Sequence, residues 1–192
     1  MRPSRRLVVV CSLGALWPIV TTPAGAAAPG TTPAQTPATA PAEELVDNPQ
    51  YAHWNKFNTG SASTLLTTID MSGQKIVTET TNTLLEKNAE KVVLEVSGSM
   101  EMGGNKQIIP PQKQEIAARV EKQDIRQLAG EKMEAAGQTF DCTVYEMNSP
   151  DPKQQGKAKA WTSDKVPGGV VKIEAKTPTG TVVSTLQSFE VK

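Results

Sequence analysis

Histidine and cysteine are almost missing from this chain: 192 residues hold one histidine, His53, and two cysteines, Cys11 and Cys142. So few soft or imidazole ligands cannot furnish a typical zinc site. Neither sign of charge is in excess, with 20 basic and 20 acidic residues, which gives no reason to expect nucleic acid or an anionic surface as partner. No nucleophile elbow, phosphate loop, dinucleotide glycine pattern or His-Glu-x-x-His is present. The acids that stand near one another, Glu131 with Glu134 and Asp141 with Glu146, fall on strand-like stretches, where scattered carboxylates are ordinarily solvated surface. The expectation is therefore a protein that is not an enzyme, with no catalytic residue, no metal site and no cofactor.

What the chain does contain begins with a leader. Arg2, Arg5 and Arg6 precede an apolar run from Leu7 to Val20, and Ala24-Gly25-Ala26 supplies the small-x-small pattern of a cleavage site. The run is short and interrupted by Pro18, so residues 1–26 read as a signal peptide cleaved near Ala26 and not as a membrane span. Lipidation at Cys11 fits poorly, because Val10 is bulky and the cysteine lies inside the apolar run. Export is thus expected, to the periplasm or the extracellular space. Loss of three arginines leaves 17 basic against 20 acidic residues, a net charge of −3. It also leaves Cys142 alone, either as a small buried hydrophobe or as an intermolecular linker.

Residues 27–46 are mostly Ala, Pro and Thr, too poor in large apolar side chains to offset the entropy of ordering them, and read as a disordered linker. Residues 47–192 then suit a single domain with one core.

Within it, Asp47-Asn48-Pro49 is a helix start, with a capping side chain followed by proline at the first helical position. Tyr51, Trp54 and Phe57 recur at three-residue spacing, which predicts a short helix over Pro49–Phe57 with an aromatic stripe packed on a sheet. The sharper alternative is that Trp54, with His53 beside it, lines a binding site.

From Thr64 the period falls to two. The Lys91–Met102 stretch keeps it throughout, with Val92, Leu94, Val96, Gly98, Met100 and Met102 on an apolar face. Leu65, Thr67, Ile69 and Met71 share a face of a strand that enters a Ser72-Gly73 turn. Ile76, Thr78, Thr80 and Leu84 share a face of the next strand. Short connections make Thr64–Met102 an antiparallel meander. Pro110-Pro111 is expected to break the pattern. Lys113–Leu128 reads as a strand, with Ile116, Ala118 and Val120 on one face, followed by an irregular segment, although its helix formers leave helix open.

Glu131–Ala135 and Gln138–Met147 predict a hairpin whose longer arm places Phe140, Cys142 and Val144 on one face. Lys157–Ser163 follows with Trp161 on the side of the lysines. Val171, Ile173 and Ala175 alternate with Lys172, Glu174 and Lys176, and Thr181–Val191 closes the chain. The total is eight or nine antiparallel strands and one helix, and a sheet that long must curl, close or split.

The order of these parts resembles the periplasmic lipoprotein-carrier superfamily: a leader, an aromatic helix with Trp54 and Phe57 before Gly60-Ser61, a meander, then Trp161 and Val166-Pro167-Gly168-Gly169 ahead of two closing strands. The 130–146 hairpin and the 161–171 stretch also resemble a group of small bacterial secreted proteins. The resemblance implies a mainly β fold, a curved antiparallel half-barrel with a helix across its concave side, and a lipid-like or other apolar ligand held there. The binding face would be that of Val92–Met102, with Trp54 as a further candidate, and Met100 and Met102 suit an adaptable apolar surface. The alternative is an interaction module for an envelope protein, its core filled by its own side chains.

Overall fold

The computed structural model describes residues 44–71, 73–122, 125–148, 156–177 and 180–192. The leader, most of the linker, Ser72 of the first hairpin turn and the polar loop of residues 149–155 lie outside them. In chain order the elements are β1 (Leu45–Asp47), α1 (Pro49–Asn55), β2 (Ala62–Met71), β3 (Gln74–Lys87), β4 (Lys91–Met102), β5 (Asn105–Ala117), β6 (Arg119–Glu121), β7 (Ile125–Gln127), β8 (Glu131–Ala135), β9 (Gln138–Asn148), β10 (Lys157–Thr162), β11 (Val170–Thr177) and β12 (Gly180–Glu190). The architecture is a curved antiparallel sheet, not closed into a barrel, in the order β5-β4-β3-β2-β12-β11-β10-β9-β7, with β8 paired to β9 and β1 paired separately to β6. The last strand fills the centre, β12 lying beside β2, so the two halves of the chain are joined by a long-range pairing of Ala62–Met71 with Gly180–Glu190.

The meander forms where alternation places it, and β4 has the bounds its period implies. Val92 and Leu94 are buried and Met102 is exposed. Val93, which alternation puts on the wet side, is buried as well, beside the register shift that leaves Leu85 unpaired between Leu84 and Glu86. The hairpin turn closes between Met71 and Gln74, with Gly73 at φ 84.

Pro110-Pro111 breaks the pairing pattern without ending the strand: the register against β4 jumps from Ile109 opposite Gly98 to Gln112 opposite Val96. β5 runs from Asn105 through both prolines to Ala117, with a register shift against β4 between Val96 and Gly98. Proline lacks an N–H for the ladder, and an edge strand with an irregular register is where that loss is tolerated. Beyond it the described residues of 113–128 contain strand and no helix: β5 runs to Ala117, and β6 and β7 follow. These three-residue pieces and β1 are too short to leave a periodic trace, so the described residues form more strands than alternation reveals.

Two apolar clusters hold the fold. One joins α1 to the meander through Trp54, Phe57, Leu84, Val92, Leu94 and Ile116. The other gathers Phe140, Cys142 and Val144 of β9 with Trp161, Val166, Val171, Leu65 and Leu186. Trp161 lies between its lysines, with Lys159 Nζ 5.2 Å and Lys172 Nζ 5.4 Å from the ring centre. Its Nε1 donates to Glu131 Oε2 at 2.8 Å, so the β8–β9 hairpin covers it and the indole is only 5 % exposed.

Candidate functional site

Directly opposed residues in antiparallel strands project from the same face of a sheet. Following that rule from strand to strand, Met102 of β4 opposes Ile76 of β3, Ile76 opposes Ile69 of β2, and Ile69 opposes Val182 of β12. Val182 opposes Ala175 of β11, Ala175 opposes Ala158 of β10, Ala158 opposes Met147 of β9, and Met147 opposes Ile125 of β7. Eight consecutive strands thus place an apolar side chain in one row on one face. At about 4.8 Å between strands the row runs roughly 34 Å along the sheet. Met102 is exposed, Ile69 is buried and the other six are half-buried.

The next row toward α1 is polar at its centre. Thr78 opposes Thr67, and Thr67 opposes Ser184, all three less than 5 % exposed. Thr67 and Ser184 share a hydrogen bond at 2.7 Å, whereas the buried Thr78 hydroxyl has no partner among the described residues. Leu84 and Leu94 lie further along the same face by unbroken pairing from Ile76 and Met102, and there they pack on α1. Helix and apolar row therefore share one side of the sheet.

α1 is held at both ends. Asn48 caps it, accepting from the Gln50 N–H at 3.0 Å through Oδ1 and donating through Nδ2 to the Ala117 carbonyl at 2.8 Å. The helix ends at Asn55, two residues short of the expected Phe57, but Trp54 on it, 2 % exposed, and Phe57 just beyond it are both core, as the aromatic stripe implies. The loop between β10 and β11 rises against it: Gly168 and Gly169, both at positive φ, lie under the rings of Trp54 and His53. Only residues without Cβ fit so near an aromatic plane.

A cleft of about 410 Å³ opens between α1, β9 and this loop. Its chemistry comes from His53, Lys56, Asp141, Tyr145, Asp164 and Lys165. Lys56 Nζ lies 2.5 Å from Asp164 Oδ1 and donates to it, which holds the Asp164 carboxyl below its usual range. His53 Nδ1 approaches the same oxygen at 3.3 Å, but the alignment makes no hydrogen bond and the nitrogen is without a partner. Burial, then the neighbouring Lys56 charge, push the His53 pKa below its ordinary value, and Asp164 only partly offsets them. The ring is neutral at pH 7. A second groove, of about 730 Å³, lies between the tips of the β2–β3 and β4–β5 hairpins, near Lys75, Val77, Glu101 and Met102.

The residues that the sequence singles out separate in the fold. Trp54 belongs to the core, while His53 beside it faces the cleft. Glu131 is engaged by Trp161 and Lys159, and Glu134, three residues on, lies on the opposite face of β8. Asp141 lines the cleft; Glu146, at odd spacing, points to the other side of β9. Cys142 is buried, and burial pushes its thiol pKa up. Linear pattern does not reach Lys56, Tyr145, Asp164 or the row from Val182 to Ile125, because only strand register assembles them. The one advance signal is the alternation that marks each row member as apolar.

No protein-family model matches the chain, and no curated protein does. Among solved structures it is similar to the lipoprotein LppX of Mycobacterium tuberculosis, at 10 % identity over 74 % of this chain and 94 % of that one, with a TM-score of 0.37. A DUF1329 family protein from Desulfovibrio piger matches at 9 % identity over 74 % and 92 % of the two chains, with a TM-score of 0.32. A putative outer membrane lipoprotein-sorting protein domain from Vibrio parahaemolyticus matches at 9 % identity over 69 % and 85 %, with a TM-score of 0.22.

Proposed function

We propose that this is an exported, non-catalytic binding protein that holds an elongated apolar ligand of lipid-like character across the strands of its curved sheet. The observation that carries the reading is the row from Met102 to Ile125, apolar at all eight positions on the side that bears the helix. A sheet face meant for water would interrupt such a row with charges, and a face meant for its own core would be covered along its whole length. The row's roughly 34 Å compares with about 30 Å for the hydrocarbon core of a bilayer, which two opposed acyl chains fill. One very long chain, or two ordinary ones, would match it.

Ala158 and Ala175 carry the smallest side chains of the row, so Ala175→Trp places an indole on the path a chain would follow. Native mass spectrometry of protein purified from its own envelope should show co-purifying lipid with the wild type and little with the variant. A bare wild-type monomer that also ignores an added hydrocarbon probe would retire the proposal.

One observation favours a second reading, an envelope interaction module without cargo. Ile69 is 6 % exposed and Thr67, Thr78 and Ser184 less than 5 %, so part of the face is closed by its own neighbours. The same bare monomer would support that reading.

A further inference from the structure

The polar cleft is not isolated from the apolar row. Tyr145, which lines the cleft, is two residues from Met147, the β9 member of the row, and both side chains leave the same face about 7 Å apart along the strand. Thr143 and Thr162, opposed across β9 and β10, continue that face beneath the helix and also line the cleft. A chain lying along the row therefore passes, near its β7 end, beside a pocket of hydrogen-bonding groups into which a head can turn.

The charges in that pocket balance: ammonium groups at Lys56 and Lys165, carboxylates at Asp141 and Asp164. Lys56 and Asp164 neutralise each other. Among the described residues Lys165 and Asp141 have no ion-pair partner. Burial disfavours the charged form of His53, so the histidine adds little to the balance. An anionic group entering here meets one unpaired ammonium and one unpaired carboxylate, so the pocket offers it no net attraction while it gives up its own hydration. A group that both donates and accepts, or that carries one charge of each sign, can use Asp141 as acceptor and Lys165 and Tyr145 as donors at once.

We propose that the cleft receives the polar head of an amphiphile whose chain lies along the row, and that it selects a head of no net charge over an anionic one. This rests on the apolar-ligand reading above. Charge complementarity sets specificity more than overall affinity.

The test uses the purified protein, a fluorescent hydrocarbon probe in the sheet, and three amphiphiles of one acyl chain: a monoacylglycerol, a lysophosphatidylcholine and a lysophosphatidic acid. The first two should displace the probe at clearly lower concentration than the third. Asp141→Asn should improve the anionic competitor about threefold, in keeping with the modest worth of exposed charges, and Lys165→Gln should worsen it. Both positions are exposed, so neither variant threatens folding. If the probe binds but the three heads compete equally, or the anion wins, or the substitutions leave the ranking unchanged, the head-group proposal is overturned and the row remains. If neither probe nor amphiphile binds, both fall.

Discussion

Gly168 sits so close under Trp54 that a Cβ there would lie 2.7 Å from indole Nε1 and Cε2. Its φ of 77° adds a conformation that residues with side chains avoid. Because the indole is buried and rigid, neither partner can yield. Gly168→Ala should destabilise the fold by about 2–4 kcal/mol, whereas Gly73→Ala, also at positive φ but with nothing within 4 Å, should cost only about 1 kcal/mol. Urea denaturation of the two variants decides it, and equal losses would mean that the loop does not clamp the helix.

The hydroxyl trio behind the apolar row predicts two opposite signs from one substitution type. Thr78→Val removes a buried hydroxyl without a partner and should raise stability by about 1 kcal/mol in the ligand-free protein. Thr67→Val breaks the Thr67–Ser184 hydrogen bond, strands the serine, and should lower stability by a similar amount. Thermal melts of both variants beside the wild type would show the divergence.

Stability should fall as the solution is made acidic through the ordinary histidine range, and His53 is a cause. Its folded pKa lies below 6.5, so just under pH 6.5 the unfolded chain takes up a proton that the folded chain refuses. The penalty is absent above that pH and complete once the pH is below the folded value. Asp164, with its folded pKa lowered from 3.8, contributes stability that is lost only at much lower pH. Between pH 7.5 and 5 the denaturation midpoint should therefore drop more for the wild type than for His53→Gln; matching slopes would clear the histidine.

Cys142 should be silent to thiol reagents in the native state. It is 4 % exposed, and burial first, then Asp141 and Glu131, disfavour the thiolate that reacts. Labelling by a neutral maleimide is expected only as the protein unfolds, with the rate tracking denaturant. Fast native labelling would instead suit the linker role.

Solvation of the α1 core offers a last check. Leu94→Ala empties a position 2 % exposed between the helix and the sheet, and should cost about 2–5 kcal/mol. Met102→Ala, at the exposed end of the row, should cost well under 1 kcal/mol, and a differential of this size is readable in chemical denaturation.

Much of the fold was present in the linear pattern. Alternation along Lys91–Met102 and Gln138–Met147 marks strands because successive side chains must leave opposite faces, and Asn48-Pro49 with Tyr51, Trp54 and Phe57 marks a helix because its cap and stripe are local. Tertiary structure alone decided that β5 passes through Pro110 and Pro111, since an edge strand forgives what a central one would not. It alone put β12 beside β2, which carries Val182 next to Ile69 and makes one apolar row out of residues more than a hundred positions apart. The same holds for the cleft, where His53 meets Asp164. Side-chain chemistry and period are properties of neighbours in the chain, whereas register between distant strands is settled only when the whole sheet is assembled, and both the row and the cleft are consequences of register.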